Sequence, residues 1–226
     1  MPPLFPAVLP AVPLGPLPFT RKAWDNPFKY KLNRQYGDEF EEMSFRDVQR
    51  RWKVRNTTAS EFYFPGGSRI EWQPNTTSAQ LYQPVPQGDF EAVLEMTYPL
   101  AGTYGPMFGI AVLDVNGTGY VFTLYTGDTA YLWHVTAWVY DSGPAGSVAG
   151  LGASTQGGHI WLNAKIVGTA MSGRVSLDGS TWSAAVSGAT VTNAAYLAIG
   201  RFHTPQASWA NMHRFNVYPG PTFFPG

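Results

Sequence analysis

The chain contains no cysteine, which excludes disulfide staples, cysteine-based metal sites and thiol nucleophiles. Charge is also scarce: Asp, Glu, Lys and Arg make up only 13% of 226 residues, about half the usual share. The 15 basic and 15 acidic residues cancel, so no nucleic-acid partner is expected. No run approaches the ~20 apolar residues of a membrane helix. The N-terminal MPPLFPAVLPAVPLGPLPF is apolar, but it lacks the basic flank of a signal peptide and its prolines interrupt any helical core. Neither a membrane segment nor a leader is expected. The four histidines, His134, His159, His203 and His213, show no zinc spacing. No Gly-rich loop carries the Lys and Ser/Thr of a phosphate cradle, and the absence of internal repeats argues against a propeller or solenoid.

Aromatic residues are abundant instead, at 15%, within a hydrophobic share of 44%. Thr, Ser, Gly and Pro fill the space left by charge, a mixture that suits short strands and many turns. From residue 38 onward, strand-like runs recur every 8–12 residues. They include FEAVLEMTY (90–98), two runs in 109–127 around Asp114-Val115-Asn116-Gly117, and AYLWHVTAWVYD (130–141), read as one long strand. A Gly/Ser-rich loop is expected over 141–158, then HIWLNAKIVG, MSGRVSLDG, AAYLAIGRFH and MHRFNVYP as further strands. The only helical pattern is short, around SFRDVQRRWK (44–53). Strands without intervening helices predict an all-β sandwich or barrel.

Two segments precede this body. Residues 1–19 carry no charge, and prolines every two to four residues favour an extended, polyproline-like chain. With no apolar partner inside the segment, Leu4, Phe5, Val8, Leu9, Val12, Leu14, Leu17 and Phe19, together with Trp24, are candidate docking residues for a neighbouring subunit. Residues 20–37 form a basic, aromatic linker with Arg21, Lys22, Lys29, Lys31 and Arg34. Residues 1–55 hold ten basic against six acidic residues, and 56–226 five against nine. That asymmetry could orient the arm on an acidic surface. The expected division is therefore an arm and linker over 1–37 and a β domain over 38–226.

Three stretches carry a family resemblance. They are Asp38-Glu39-Phe40 … Arg51-Trp52, then Leu81 to Glu91 (LYQPVPQGDFE), then Gly109-Ile110-Ala111 … Asn116-Gly117-Thr118-Gly119-Tyr120. Stronger still is Ser176-Leu177-Asp178-Gly179-Ser180-Thr181-Trp182 followed by Ala195-Tyr196-Leu197-Ala198-Ile199-Gly200. Together they resemble the concanavalin A-like lectin/glucanase superfamily, especially its laminin-G-like branches, over roughly 38–218. The resemblance implies a jelly-roll β-sandwich. It implies little about activity, because that fold hosts lectins, glycosidases, adhesion modules and virus-particle proteins. Independently of the family, Asp178-Gly179 is a turn signal and Trp182 can fold back over the hairpin.

Glycosidases need paired carboxylates at a defined separation. Glu39 with Glu41, and Glu91 with Glu95, are the available pairs; neither has the family's E-x-D-x-x-E pattern, and both are expected to be solvated surface. No catalytic residue is therefore assigned and no enzyme activity is expected. Asp114 and Asn116 offer oxygen ligands suited to calcium, yet a hairpin turn accounts for them equally; no other metal or cofactor is expected. If 130–141 is one strand, His134, Thr136, Trp138 and Tyr140 share a face, with Tyr131, Trp133, Val135 and Val139 toward the core. His134, Trp138 and Tyr140 are then the candidate glycan platform or subunit interface.

Taken together, the sequence reads as a non-enzymatic virion structural protein, such as a phage capsid decoration or tail-associated subunit. Its arm would attach to major capsid or tail proteins, it would form a homo-oligomer, and it would display a lectin-like domain toward a cell-surface glycan. The alternative is a carbohydrate-binding module of a polysaccharide-degrading system.

Overall fold

A computed structural model describes residues 36–41, 44–66, 69–73, 78–97, 108–125, 129–148, 158–203 and 210–220. The arm residues from Leu4 to Phe19, and Trp24, lie outside them. The described chain is a two-sheet antiparallel jelly-roll sandwich, one of the two all-β forms that the strand spacing allows and the one that the resemblance implies. Its elements in order are α1 (Phe45–Arg51), β1 (Lys53–Arg55), β2 (Phe62–Tyr63), β3 (Ile70–Trp72), β4 (Gln80–Pro84), β5 (Phe90–Thr97), β6 (Phe108–Leu113) and β7 (Gly119–Tyr125). There follow β8 (Thr129–Thr136), β9 (Val139–Val148), β10 (His159–Val167), β11 (Ala170–Ser176), β12 (Val186–Thr190), β13 (Tyr196–Arg201) and β14 (Ala210–Pro219). One sheet runs β1-β4-β13-β6-β7-β8-β9, the other β12-β11-β10-β5-β14-β3-β2.

Alternation along each strand builds the core between them. Phe90, Ala92, Leu94 and Met96 of β5 point inward, as do Ile160, Leu162, Ala164 and Ile166 of β10. Ile110, Val112, Phe122, Leu124, Leu197 and Ile199 meet them from the other sheet. Each buried Phe, Leu, Ile, Val or Met among them stabilises by ~1.5–3 kcal/mol. The sheets pack tightly where Gly173 faces Phe122: a Cβ there would lie 2.4 Å from the ring.

The helix forms where the sequence predicts it. Ser44 caps it by accepting from the Asp47 amide, and Asp47 sits in the first turn with Arg50 and Arg51 in the last. Asp38 anchors the start of the described chain. It is buried, accepts from the Trp52 indole at 2.6 Å and the Phe40 amide at 2.9 Å, and lies 3.5 Å from Arg51. Its backbone pairs reciprocally with Phe215 at 2.8 and 2.7 Å.

One expectation fails. Residues 130–141 are a hairpin: β8 ends at Thr136, and Ala137 (φ 48°) and Trp138 (φ 71°) make the turn into β9. Positive φ at both central residues is the primed hairpin turn, adopted here without its usual Asn-Gly. The Trp138 amide donates to the Gly117 carbonyl at 2.8 Å, and its indole packs where a Gly117 Cβ would sit, 2.2 Å away. Tertiary packing thus holds a backbone conformation that costs a non-glycine residue ~1–2 kcal/mol. The first part of the expected 141–158 loop is consequently strand, through Val148.

Candidate functional site

The outer face of the β5-containing sheet carries the richest chemistry. Side chains that alternate away from the core form cross-strand rows, with neighbours ~5 Å apart. Trp161, Glu95 and Arg214 make one row, Asn163, Val93 and Asn216 the next, and Lys165, Glu91 and Tyr218 the third. Val93, Trp161 and Tyr218 are an apolar floor, with Trp182 packed against it. A shallow depression opens among Val93, Glu95, Trp161, Arg214, Asn216 and Tyr218.

Glu91 and Glu95 are not solvated surface, contrary to the sequence expectation. Glu91 is 1% exposed; its Oε1 accepts from Asn163 Nδ2 at 2.7 Å and Arg174 Nη2 at 3.0 Å. The Arg174 guanidinium in turn lies over the Trp182 ring, 4.9 Å from its centroid, a cation–π contact. Glu95 Oε1 is 2.8 Å from His159 Nε2. The His159 ring stacks on Trp161 (4.7 Å, 7°) and lies 4.6 Å from His213, whose Nε2 meets Thr97 Oγ1 at 2.8 Å. Burial, first, and then the His159 charge push the His213 ring down to about 4, against the opposing pull of Glu95; Arg69 pushes the same way as His159. Glu39, the other expected surface acid, lies 3.6 Å from Arg214. The Trp161 indole N–H, Asn211 Oδ1 and Arg214 Nε are buried with no hydrogen-bond partner in this structure.

The Ser176–Trp182 hairpin positions one side of this face. Ser176 Oγ accepts from the Gly179 amide at 2.8 Å. Asp178 Oδ1 accepts from the Ser180 and Thr181 amides, each at 2.7 Å. Those amide bonds, Thr181's above all, hold the Asp178 carboxyl well below the usual carboxylate range. The tight loop returns the chain so that Trp182 bridges back to Ser176, which brings its indole over the sheet. The motif that carried the family resemblance therefore builds the wall of the site. Sequence reasoning paired Glu91 with Glu95 but missed Trp161 and Asn163, which alternation in HIWLNAKIVG could have grouped; which face they took was not legible.

Glu91 and Glu95 are four residues apart on one strand, about 13 Å between Cα atoms, and each is held by its own partners, Glu91 by Asn163 and Arg174 and Glu95 by His159. Among the described residues, no group of three His, Asp or Glu converges to hold a metal. Asp114 Oδ1 instead accepts from the Asn116 and Thr118 amides at 2.8 and 2.9 Å, the hairpin alternative to a calcium role.

His134, Trp138 and Tyr140 do not share a face. The hairpin reverses the assignment: Trp133 and Val135, expected in the core, belong with Trp138 and Tyr140 to an apolar cluster on the outer face of the β8-containing sheet. His134 lies on the opposite side of its strand, against Tyr120 (5.2 Å) and 3.6 Å from Asp141. Trp138 is 8% exposed, packed against Tyr82 and Tyr196, with Arg55 5.0 Å above its ring. Tyr140 is half-buried, 4.8 Å from Trp133 and 4.9 Å from His203.

No protein-family model and no curated protein sequence matches the chain. Solved structures do, in fold. The VIP36 exoplasmic/lumenal domain in its Ca2+/Man3GlcNAc-bound form aligns over 87% of this chain and 93% of its own, with TM-score 0.57 and 9% identity. A legume lectin-like domain from Entamoeba histolytica aligns over 85% and 100%, with TM-score 0.54 and 9% identity. An engineered GH43 glycoside hydrolase with endo-xylanase and exo-arabinofuranosidase activity gives TM-score 0.61 at 17% identity, over 80% of this chain. The chain spans only 40% of that enzyme's length. The fold these structures share with the chain is a two-sheet jelly-roll β-sandwich. Identities this low carry the fold, and function has to come from the site.

Proposed function

We propose that the chain is a non-hydrolytic, lectin-like recognition module that holds a saccharide on the outer face of the β5-containing sheet. The observation that carries this reading is an open depression that joins Trp161 and Tyr218 to Glu95, Arg214 and Asn216, with Trp182 packed against its apolar floor and Glu91 held behind it by Asn163 and Arg174. An indole stacks on the apolar face of a pyranose, and polar groups at its rim fix the hydroxyls. The engagement of Glu91 by Asn163 and Arg174, and of Glu95 by His159, supports binding over hydrolysis. Neighbours in fold whose names include a legume lectin-like domain and a Man3GlcNAc-bound domain support the ligand class.

The finer reading is a virion structural protein in which residues 1–19 attach the subunit to its assembly and the sandwich faces outward. Its support is the uncharged Pro-rich arm on a low-charge, cysteine-free body. A carbohydrate-binding module of a polysaccharide-degrading system is the alternative that the GH43 neighbours favour. Glycan-array binding that is lost in Trp182→Ala while the thermal midpoint is kept is the expected result. Absence of any glycan signal from the intact protein, at concentrations suited to the weak affinity of one or two stacked sugars, overturns the binding reading. Immunogold labelling of purified particles decides between virion and secreted module.

A further inference from the structure

The outer face of the other sheet is unusually aromatic for a surface. Phe202, Val135 and Leu113 are fully buried there beneath Trp133 and Trp138, while Tyr82, Tyr131, Tyr140 and Tyr196 remain half-buried around them. The rings form two touching groups: Tyr131–Trp133–Tyr140–His203, at centroid spacings of 4.8–4.9 Å, and Tyr82–Trp138–Tyr196, at 5.0–5.4 Å. Aromatic-lined surfaces of this kind receive polyproline II segments, whose exposed carbonyls accept from ring hydroxyls and whose prolines pack between rings.

The same chain carries such a segment. Pro10, Pro13 and Pro16 recur every third residue, as do Pro3 and Pro6. A polyproline II helix has three residues per turn, so each set lines one edge, and Pro10 to Pro16 spans about 19 Å. Where the described chain starts also fits. Gln83 Nε2 donates to the Tyr36 carbonyl at 2.7 Å, and Gln83 follows Tyr82 on β4. The sixteen residues 20–35 can reach about 53 Å when extended, against about 29 Å across a seven-stranded sheet. Their five basic residues would pass over a body with five basic and nine acidic residues.

We infer that, in the free chain, residues 1–19 dock in cis on the Tyr82/Tyr140/Tyr196 face of their own sandwich. A tether that spans the gap supplies a millimolar effective concentration, which favours the chain's own face over a second copy in dilute solution. Between crowded copies the same contact made in trans would link subunits head to tail.

The test uses the full chain and a full-chain variant with Pro10, Pro13 and Pro16 changed to Ser. A fluorescein-labelled peptide of residues 1–19 should bind the Ser variant saturably and the wild type at least tenfold more weakly. Tyr140→Ala with Tyr196→Ala in the Ser variant should cut peptide affinity at least tenfold. Independently of any tyrosine change, the Ser substitutions should raise amide exchange in 131–140 and 196–203 and leave 159–166 unchanged. Both proteins should scatter light as monomers. A peptide that fails to bind the Ser variant, or exchange unaltered by the Ser changes, overturns the inference. A wild-type oligomer whose mass falls in the Ser variant places the arm on a second copy and overturns docking in cis.

Discussion

Removing the Glu91 carboxylate is the sharpest perturbation of the candidate site. Glu91 is 1% exposed and sits between Asn163, also 1% exposed, and Arg174, whose side chain is 20% exposed. Glu91→Ala leaves a guanidinium and an amide donor facing a void that little water reaches. Breaking a buried, hydrogen-bonded pair from one side costs roughly 3–5 kcal/mol, most of it the desolvation of the group left behind. At roughly 2–4 °C per kcal/mol for a chain of this size, the thermal midpoint should fall by roughly 6–20 °C in scanning calorimetry at neutral pH. The loss should not be additive with loss of Arg174. In a cycle of Glu91→Gln, Arg174→Met and the double variant, the coupling should reach ~1.5 kcal/mol or more, as for a hydrogen bond to a charged group. Because Arg174 is also the group over Trp182, Glu91→Gln should weaken any saccharide binding without touching the ligand itself. A midpoint within 2 °C of wild type for Glu91→Ala, or a coupling near zero, refutes the claim that this carboxylate holds the face together.

Three further outcomes follow from other contacts. His213 takes its proton near 4 in the fold against an ordinary 6.5, so below 6.5 the unfolded chain binds the proton first. Stability is then complete above pH 6.5 and falls as pH drops toward 4, by on the order of 3 kcal/mol in all; urea midpoints across that range should show a slope that His213→Gln flattens. Gly117→Ala meets both a φ of +77° and the Trp138 indole, so it should cost ~1–3 kcal/mol and shift tryptophan fluorescence; an unchanged spectrum would mean Trp138 is not seated there. Asp178→Ala removes the carboxylate that both hairpin amides share, and should lower the midpoint at neutral pH. As pH falls below the usual carboxylate range the difference from wild type should shrink, which a pH series of melts can measure.

How much of this was legible in the chain depends on the range of the interaction. The helix at 45–51 follows from a local cap and charge order, and the 114–118 and 176–182 turns from Asp-centred bonding to nearby amides. The strand content and the all-β class follow from strand patterning, because alternation needs only to know that one face is buried; the jelly-roll arrangement came from the family resemblance. The sequence also paired Glu91 with Glu95 on one strand before any sheet was drawn.

The faces themselves were decided by tertiary structure. Glu91 and Glu95 read as solvated because two acids on a strand ordinarily are; β10, β11 and β14 bring Asn163, His159, Arg174 and Arg214 to them from 60 to 120 residues away. The 130–141 hairpin was invisible for a related reason. Ala137-Trp138 has no intrinsic preference for positive φ, and the turn exists because the Trp138 indole fills the space over Gly117 and its amide finds the Gly117 carbonyl. That one bend moved Trp133 and Val135 from the expected core to the outer aromatic face and parted His134 from Trp138. Local propensity determined which segments are strands; long-range packing alone determined which side of each one faces the core and which faces outward.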